Sequence, residues 1–464
     1  MSRCRHAEAC GGCPLQHLDY AEQLRRKRLR VQRLLDAALG PRAPRVRPVW
    51  PSPHAPGDAP WEFRQKAAFT FGAGPAGELV MGHYSRGGDV VVAIEECPVH
   101  PARANRIAFA FRDAFARAGL RAFGADGRGL LRHLIVRTSA DQREAVAVLV
   151  VARHARELRA PLREVMAGPD APDGFRRRNE PGAGPRVWAE ERSDGAQRPE
   201  PWDRLPARAA VGATSDDSGL LRPQTPDGLL LNLHDRPGPY LLGRETLHLG
   251  GAEAVVERAL GEAFVVAPTS FFQTNVAAAG ELLRLVQEAT DGATSVLDLY
   301  SGSGLFALPL ARRGARVTAV EENRDAVRDA RFNLEASGLP PARLRLRPGR
   351  VEQVLPGLLR ERFDAVVLDP PRQGASPPVL EAVFRGLRPP RAVFVSCSPE
   401  ALAAELAFAA RAGYTIGDVQ PVDMFPHTDH VEAVAYADLA GSASPSPRAG
   451  VRSAPAGRPS KRRR

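Results

Sequence analysis

The chain is 464 residues long with a formal charge of +11 and a pI near 10.0, enough for about two to three domains and suited to a polyanionic partner, nucleic acid first. No apolar run is long enough to span a bilayer, and the opening MSRCRHAEAC carries no apolar signal core, so a membrane protein and a secreted disulfide scaffold are excluded as expectations. The prediction is a cytoplasmic monomer with no membrane partner, whose five cysteines stay reduced and invite metal or catalytic roles before disulfides.

The chain opens with Cys4, Cys10 and Cys13 around the hinge Gly11-Gly12, and Cys97 follows in EECPVHP. Three clustered thiols and one distant one can hold an iron–sulfur cluster. The same set can hold a structural zinc, and spacing alone leaves both open. An amphipathic helix is predicted over Gln16–Leu39, with Leu24, Val31, Leu34, Leu35 and Ala38 on one side. Arg25, Arg26, Lys27, Arg28, Arg30 and Arg33 crowd it with charge, either a solvated face or a ridge that contacts phosphates. Pro41–Pro60 reads as a proline-rich connector.

Strands are predicted at Lys66–Phe71, Val90–Ile94, Leu131–Thr138 and Ala145–Val151, an antiparallel central domain that carries Cys97. Residues 168–228 are rich in Pro, Gly and charge without periodicity, which predicts an insertion that is mobile or loosely docked. The pattern resumes at Leu229 and reaches Ser270-Phe-Phe-Gln-Thr-Asn275.

From Ala277 onward helices and strands alternate. Strands fall at Ser295–Tyr300, Arg316–Glu321, Leu344–Arg347, Asp364–Leu368 and Ala392–Ser396. Helical patterns fall between them at Leu305–Arg313, Arg324–Ser337, Val351–Leu359 and Pro378–Leu387, with Glu400–Ala412 after the fifth strand. A closing antiparallel hairpin is expected near Thr415–Val422 and Val431–Ala437. The fold class is α/β: a C-terminal doubly wound, Rossmann-like sheet with a smaller antiparallel β-rich central domain. The predicted division is 1–47 for the cysteine motif and basic helix, 48–268 for the central domain, 269–440 for the doubly wound domain and 441–464 for a disordered basic tail.

The first strand of that sheet ends in DLYSGSG, where Gly302 and Gly304 permit close backbone approach to a ligand. Glu321 falls about twenty residues further on, where a carboxylate takes ribose hydroxyls. No Arg or Lys in the loop is placed to meet a diphosphate, which favours S-adenosylmethionine over a dinucleotide. The fourth strand runs into Asp369-Pro370-Pro371-Arg372, a rigid lip at the ligand edge of the sheet. Arg372 stands where amino-group methyltransferases place an aromatic, which argues against an exocyclic-amine acceptor. The fifth strand ends in RAVFVSCSP, so Cys397 lies at the same edge.

Together CRHAEACGGCPLQH, ECPVHP, SFFQTN, DLYSGSG, DPPRQG, VSCSP and MFPHTDHVE follow one order between Cys4 and Ala437. In these motifs the chain resembles the RNA uracil-5-methyltransferases, in particular the iron–sulfur branch that modifies 23S ribosomal RNA. The resemblance implies a 4Fe-4S cluster on Cys4, Cys10, Cys13 and Cys97. It implies S-adenosyl-L-methionine held by Gln273, Tyr300, Glu321 and Asp369, and a flipped base stacked on Phe271. Chemistry asks for a thiolate to activate uracil C5 by adding to C6, which is the role of Cys397, and for a base to remove the C5 proton, which the resemblance gives to Glu432. His427 and His430 are expected to be structural neighbours. Ser301 and Leu305 depart from the family pattern, the second where several members have a cofactor-contacting asparagine. The N-terminal oligonucleotide-binding barrel of some members is not seen before Cys4. A transfer-RNA uracil methyltransferase and a non-catalytic RNA-binding iron–sulfur protein are the alternatives.

Overall fold

In the computed structural model the described residues are 4–53, 60–88, 90–167, 224–236 and 241–441. The expected insertion falls on residues outside this set up to 223, and the expected basic tail lies outside it from 442. Two sheets organise the described chain.

The central sheet contains β1 (Lys66–Ala73), β2 (Leu79–Tyr84), β3 (Val91–Ala93), β4 (Leu131–Thr138), β5 (Ala145–Val151), β6 (Gly228–Leu233) and β7 (Glu245–Gly251), in the order β3-β2-β1-β4-β5-β6-β7. All its pairings are antiparallel except β5 with β6, which run parallel. A parallel pair needs a long crossover, and the chain between Val151 and Gly228 supplies it. Helices α2 (Ala102–Arg117) and α3 (Arg159–Ala167) cover one face, where Ile107, Phe111, Phe115 and Leu162 meet Phe69, Leu134 and Leu149. Every residue of β4 and β5 is buried, because the other face is covered too, with Val255 packing on Ile135, Val146 and Val148. A separate hairpin, β8 (Val255–Ala259) and β9 (Glu262–Val266), leads towards the second sheet.

That second sheet is built from β10 (Ser295–Leu299), β11 (Arg316–Glu321), β12 (Leu344–Pro348), β13 (Ala365–Leu368), β14 (Arg391–Ser396), β15 (Tyr414–Ile416), β16 (Gln420–Val422) and β17 (Glu432–Leu439). Its order is β12-β11-β10-β13-β14-β17-β15, with β16 also paired to β17. The first five strands run parallel, and β17 is antiparallel to both of its neighbours. Helices α4 (Val276–Ala289), α5 (Ala307–Arg312), α6 (Arg324–Ala336), α7 (Val351–Val354), α8 (Pro377–Glu381) and α9 (Pro399–Arg411) flank it. The expected closing hairpin is present, but its first arm is two short strands, broken at Gly417-Asp418. None of the helices among the described residues is long and apolar enough to cross a membrane.

The N-terminal helix α1 spans Tyr20–Leu39, shorter than the sequence pattern suggested, because Asp19 caps it by accepting the Glu22 N–H at 2.9 Å. Its buried face reads Gln23, Lys27, Val31 and Leu35, one residue per helical turn. Val31 and Leu35 join the core of the second sheet with Leu402, Leu406 and Val431. The chain after α1 then runs along β16, where Arg47 N–H donates to Val419 O at 2.9 Å and Trp50 N–H to Pro421 O at 2.8 Å. This described part of the proline-rich connector therefore extends the second sheet.

The charge on α1 differs from the expected ridge. Lys27 is 1% exposed and donates to Asp423 Oδ1 at 2.6 Å and to Phe425 O at 2.9 Å. Arg25 and Arg26 both pair with Glu22, and Arg30 pairs with Glu400. Three carboxylates, Glu22, Asp423 and Glu400, thus meet four of these cations, while Arg28 and Arg33 are exposed.

Candidate active site

The site forms where β10, β11, β13, β14 and β17 present their ends at one edge of the second sheet. After β10 the backbone turns sharply. Tyr300 adopts a left-handed φ of 64°, a conformation that costs about 1–3 kcal/mol in a non-glycine residue. Gly302 (φ 55°) and Gly304 (φ 94°) continue the turn without that cost. Glu321, at the end of β11, holds the loop: its Oε2 accepts the Gly302 N–H at 2.9 Å and its Oε1 accepts the Asn323 N–H at 2.7 Å. Each oxygen keeps a further lone pair for a hydroxyl of a bound ligand.

Asp298, one residue before the end of β10, was quoted within its motif but given no role from sequence. It is fully buried, and neither carboxyl oxygen has a hydrogen-bond partner among the described residues. Burial, with Asp369 and Glu321 adding repulsion, pushes its pKa far above the carboxylate range. A buried carboxyl without a partner, beneath a ligand loop, suits a polar or cationic group arriving from the ligand. The signal that could have found it was a carboxylate inside the apolar run Val296–Leu299.

Asp369 follows β13, half-buried, with its pKa raised by burial and then by Glu321. Arg372, three residues on, is exposed at the rim. Cys397 follows β14, held between that strand and α9, whose N-terminus Ser398 caps by accepting the Ala401 N–H at 3.2 Å. β14 and β17 pair with Ser396 opposite Ala433, so continuing the register puts Cys397 opposite Glu432. Glu432 is 2% exposed, and burial followed by the Asp369 charge raises its pKa, with Arg372 opposing. The Cys397 thiol is pushed up to about 11 by burial, then by Glu432 and Asp369, while Arg372 pulls it down. Four residues from three strand ends thus share one electrostatic field.

The segment before α4 forms the opposite wall. Phe271 is 60% exposed, Phe272 is buried against Phe264, and Gln273 is 6% exposed. Phe271 O accepts the Ser303 hydroxyl at 3.3 Å, which ties this wall to the glycine loop. Leu305 is buried in apolar core and offers no polar contact. Ser301 is buried as well. Glu405 of α9 accepts the Ala375 N–H at 2.6 Å, holding the loop that carries Asp369 and Arg372.

His427 stands in a structural role. Its backbone N–H donates to Gln23 Oε1 at 2.9 Å, its Nε2 meets Pro60 O at 2.8 Å, and Trp61 stacks on it at 4.1 Å. His430 is exposed, edge-on to Phe425.

The thiols lie elsewhere, on the central sheet. Cys10 bridges Ser85 beside β2, and Gly11 N–H donates to Tyr84 O at 3.0 Å. Cys4, Cys10 and Cys13 all raise the pKa of Cys97, so the four sulfurs converge although two chain segments supply them. Burial comes first among the causes for Cys10, Cys13 and Cys97, and it carries Cys13 to about 11. His83 and His100 flank Cys97, with donor atoms all within 4.8 Å of one another, and sequence reasoning had not singled them out.

An open parallel sheet with an antiparallel strand inserted next to its last strand, and a glycine loop at the first strand end, is the α/β methyltransferase fold. The comparisons agree. Residues 281–401 match the family model described as conserved hypothetical protein 95. An "uncharacterized RNA methyltransferase" of Gloeobacter violaceus is 32% identical over 93% of this chain and 81% of its own, and one of Synechocystis is 31% identical over 92% and 80%. In fold the chain is similar to the tRNA (uracil-54, C5)-methyltransferase of Pyrococcus abyssi, solved with S-adenosyl-L-homocysteine, at a TM-score of 0.67 and 24% identity over 92% of this chain and 84% of that one. The chain belongs to the RNA methyltransferase family of these relatives.

Proposed function

We propose that the protein methylates C5 of a uridine in RNA, 23S ribosomal RNA by its motif set, with S-adenosylmethionine as methyl donor. What supports this reading is that Cys397 and Glu432 adjoin the Ser396–Ala433 pair at the ligand edge of the sheet, near enough for the Glu432 charge to act on the thiol. S-adenosylmethionine supplies an electrophilic methyl on a sulfonium. Cys397 gives up its proton to solvent, its sulfur adds to uracil C6 and delivers the electron pair to C5 as an enolate, and C5 takes the methyl as S-adenosylhomocysteine leaves. Once C5 carries the methyl, Glu432 takes the C5 proton, the C6–S bond breaks, and the thiolate leaves. A carboxyl with a raised pKa is suited to that proton, since transfer works best near the operating pH. Glu321 and the Gly302–Gly304 loop would hold the nucleoside end of the cofactor, Gln273, Tyr300 and Asp369 would border it, and Phe271 would stack on the flipped base.

Glu432→Gln is expected to permit addition and methyl transfer but stall elimination. Incubation with RNA and S-adenosylmethionine should then leave a protein–RNA adduct that survives denaturation, and rapid clean turnover would show that another base acts. Mapping 5-methyluridine in ribosomal and transfer RNA from a deletion strain tests the substrate; loss confined to transfer RNA would reassign it.

The four thiols fit a 4Fe-4S cluster in their chemistry. His83 and His100 beside Cys97 offer a zinc-type donor set as the competing occupant. Anaerobically purified protein is expected to be brown with about four irons per chain. One tightly held zinc without iron would instead put the metal on Cys97, His83 and His100.

A further inference from the structure

Three basic residues at the cleft, Arg64, Lys66 and Arg372, form no ion pair with a carboxylate among the described residues, and burial lowers the Lys66 pKa to about 7. Burial alternates along Phe63–Ala67, with Phe63, Gln65 and Ala67 buried, Arg64 exposed and Lys66 half-buried, as an extended chain requires. Gln65 N–H donates to Thr274 O at 2.8 Å, which straps this strand entry to the wall that carries Phe271. Lys66 Nζ donates to Ser270 O at 3.2 Å, the residue just before Phe271. Arg64 is exposed, and Lys66 and Arg372 both lie within its electrostatic range.

None of the three forms an ion pair with a carboxylate among the described residues; Asp325 acts on Lys66 only from a distance, and Cys13 and Cys97 act on Arg64. On α1, by contrast, Arg25, Arg26, Lys27 and Arg30 all have acidic partners. Arg64 is repelled by Arg372, and Lys66 by Arg64, and an incoming anion relieves that repulsion.

We propose that Arg64 and Lys66, with Arg372 beside them, bind the backbone phosphates flanking the target uridine and hold its strand against Phe271. This rests on the reading of the protein as an RNA uridine methyltransferase. Arg64 and Lys66 come from the central sheet and Arg372 from the catalytic one, so the strand would be gripped from both sides of the cleft.

The test is the salt dependence of binding of a short, single-stranded, uridine-containing RNA to the full chain. Each phosphate contact to a single strand contributes about −0.7 to the slope of log K against log salt. Arg64→Gln and Lys66→Gln are each expected to flatten the slope by about 0.7, and the double variant by about 1.4. Lys66→Arg, which keeps the charge, should restore it, and S-adenosylhomocysteine affinity should not change in any of them. Steep wild-type binding with unaltered slopes in both variants overturns the assignment and leaves the functional reading standing. Wild-type protein that binds no RNA overturns both. Loss of iron and colour in Arg64→Gln with the slope intact would make Arg64 a counter-charge to the thiols and refute its phosphate role.

Discussion

Cys397→Ala is expected to lower methyl transfer by about 10⁴-fold or more, while S-adenosylmethionine binding stays within about twofold. The large effect follows from the chemistry, because uracil C5 is too weak a nucleophile to attack a methyl group until a thiolate has added at C6. The selectivity follows from position. Cys397 projects from β14, two strands away from β10 and its glycine loop, and Glu321 holds that loop through Gly302 without help from the thiol. The resting thiol, at about 11, is protonated near neutrality. In the wild type kcat/KM should therefore rise with pH above neutrality, as the thiolate fraction of the free enzyme grows. Single-turnover transfer of labelled methyl, set beside calorimetric titration with S-adenosylmethionine, separates the two quantities. Appreciable methylation by the alanine variant would remove the covalent mechanism.

Lys27→Met is expected to cost about 3–5 kcal/mol of stability. The Asp423 side chain is fully buried, and among the described residues it accepts, beside Lys27, only the Tyr20 hydroxyl, at 2.8 Å. Removing the ammonium leaves an uncompensated buried carboxylate. Lys27→Met combined with Asp423→Asn should recover most of the loss, because Tyr20 can still donate to the amide oxygen and no buried charge remains. The consequence reaches the active site. Lys27 also binds Phe425 O, and Gln23 binds the His427 backbone, so α1 holds the segment that leads into Glu432. Activity of Lys27→Met should fall at temperatures below its unfolding midpoint. Denaturant titration of the two variants gives the energies, and a loss under about 1 kcal/mol would mean that water compensates the charge.

Much of the site was legible because each of its residues stands at a recognisable boundary. Glu321, Asp369 and Cys397 each close an apolar run that ends in turn residues, and a parallel sheet brings such ends to one edge. Asp298 was not legible as an active residue, because its peculiarity is the lack of a partner, and partners are set by tertiary packing. Arg64 and Lys66 carry no local signal, since a basic residue in a short strand entry looks like any solvated surface.

The sequence by itself determined the alternation of helices and strands, the glycine loop, the chemistry-bearing residues at the strand ends and the order of the motifs, because these depend on local pattern. Only the tertiary structure decided which charges remain available. Lys27 became an internal ion pair, Arg25, Arg26 and Arg30 found acids, and Arg64, Lys66 and Arg372 pair with no carboxylate among the described residues. It also decided that α1 packs on the second sheet while the cysteine loop just before it bonds to the first. A residue's charge is written in the chain, but its partner comes from segments hundreds of positions away, as Asp423 does for Lys27, and no local periodicity encodes that distance.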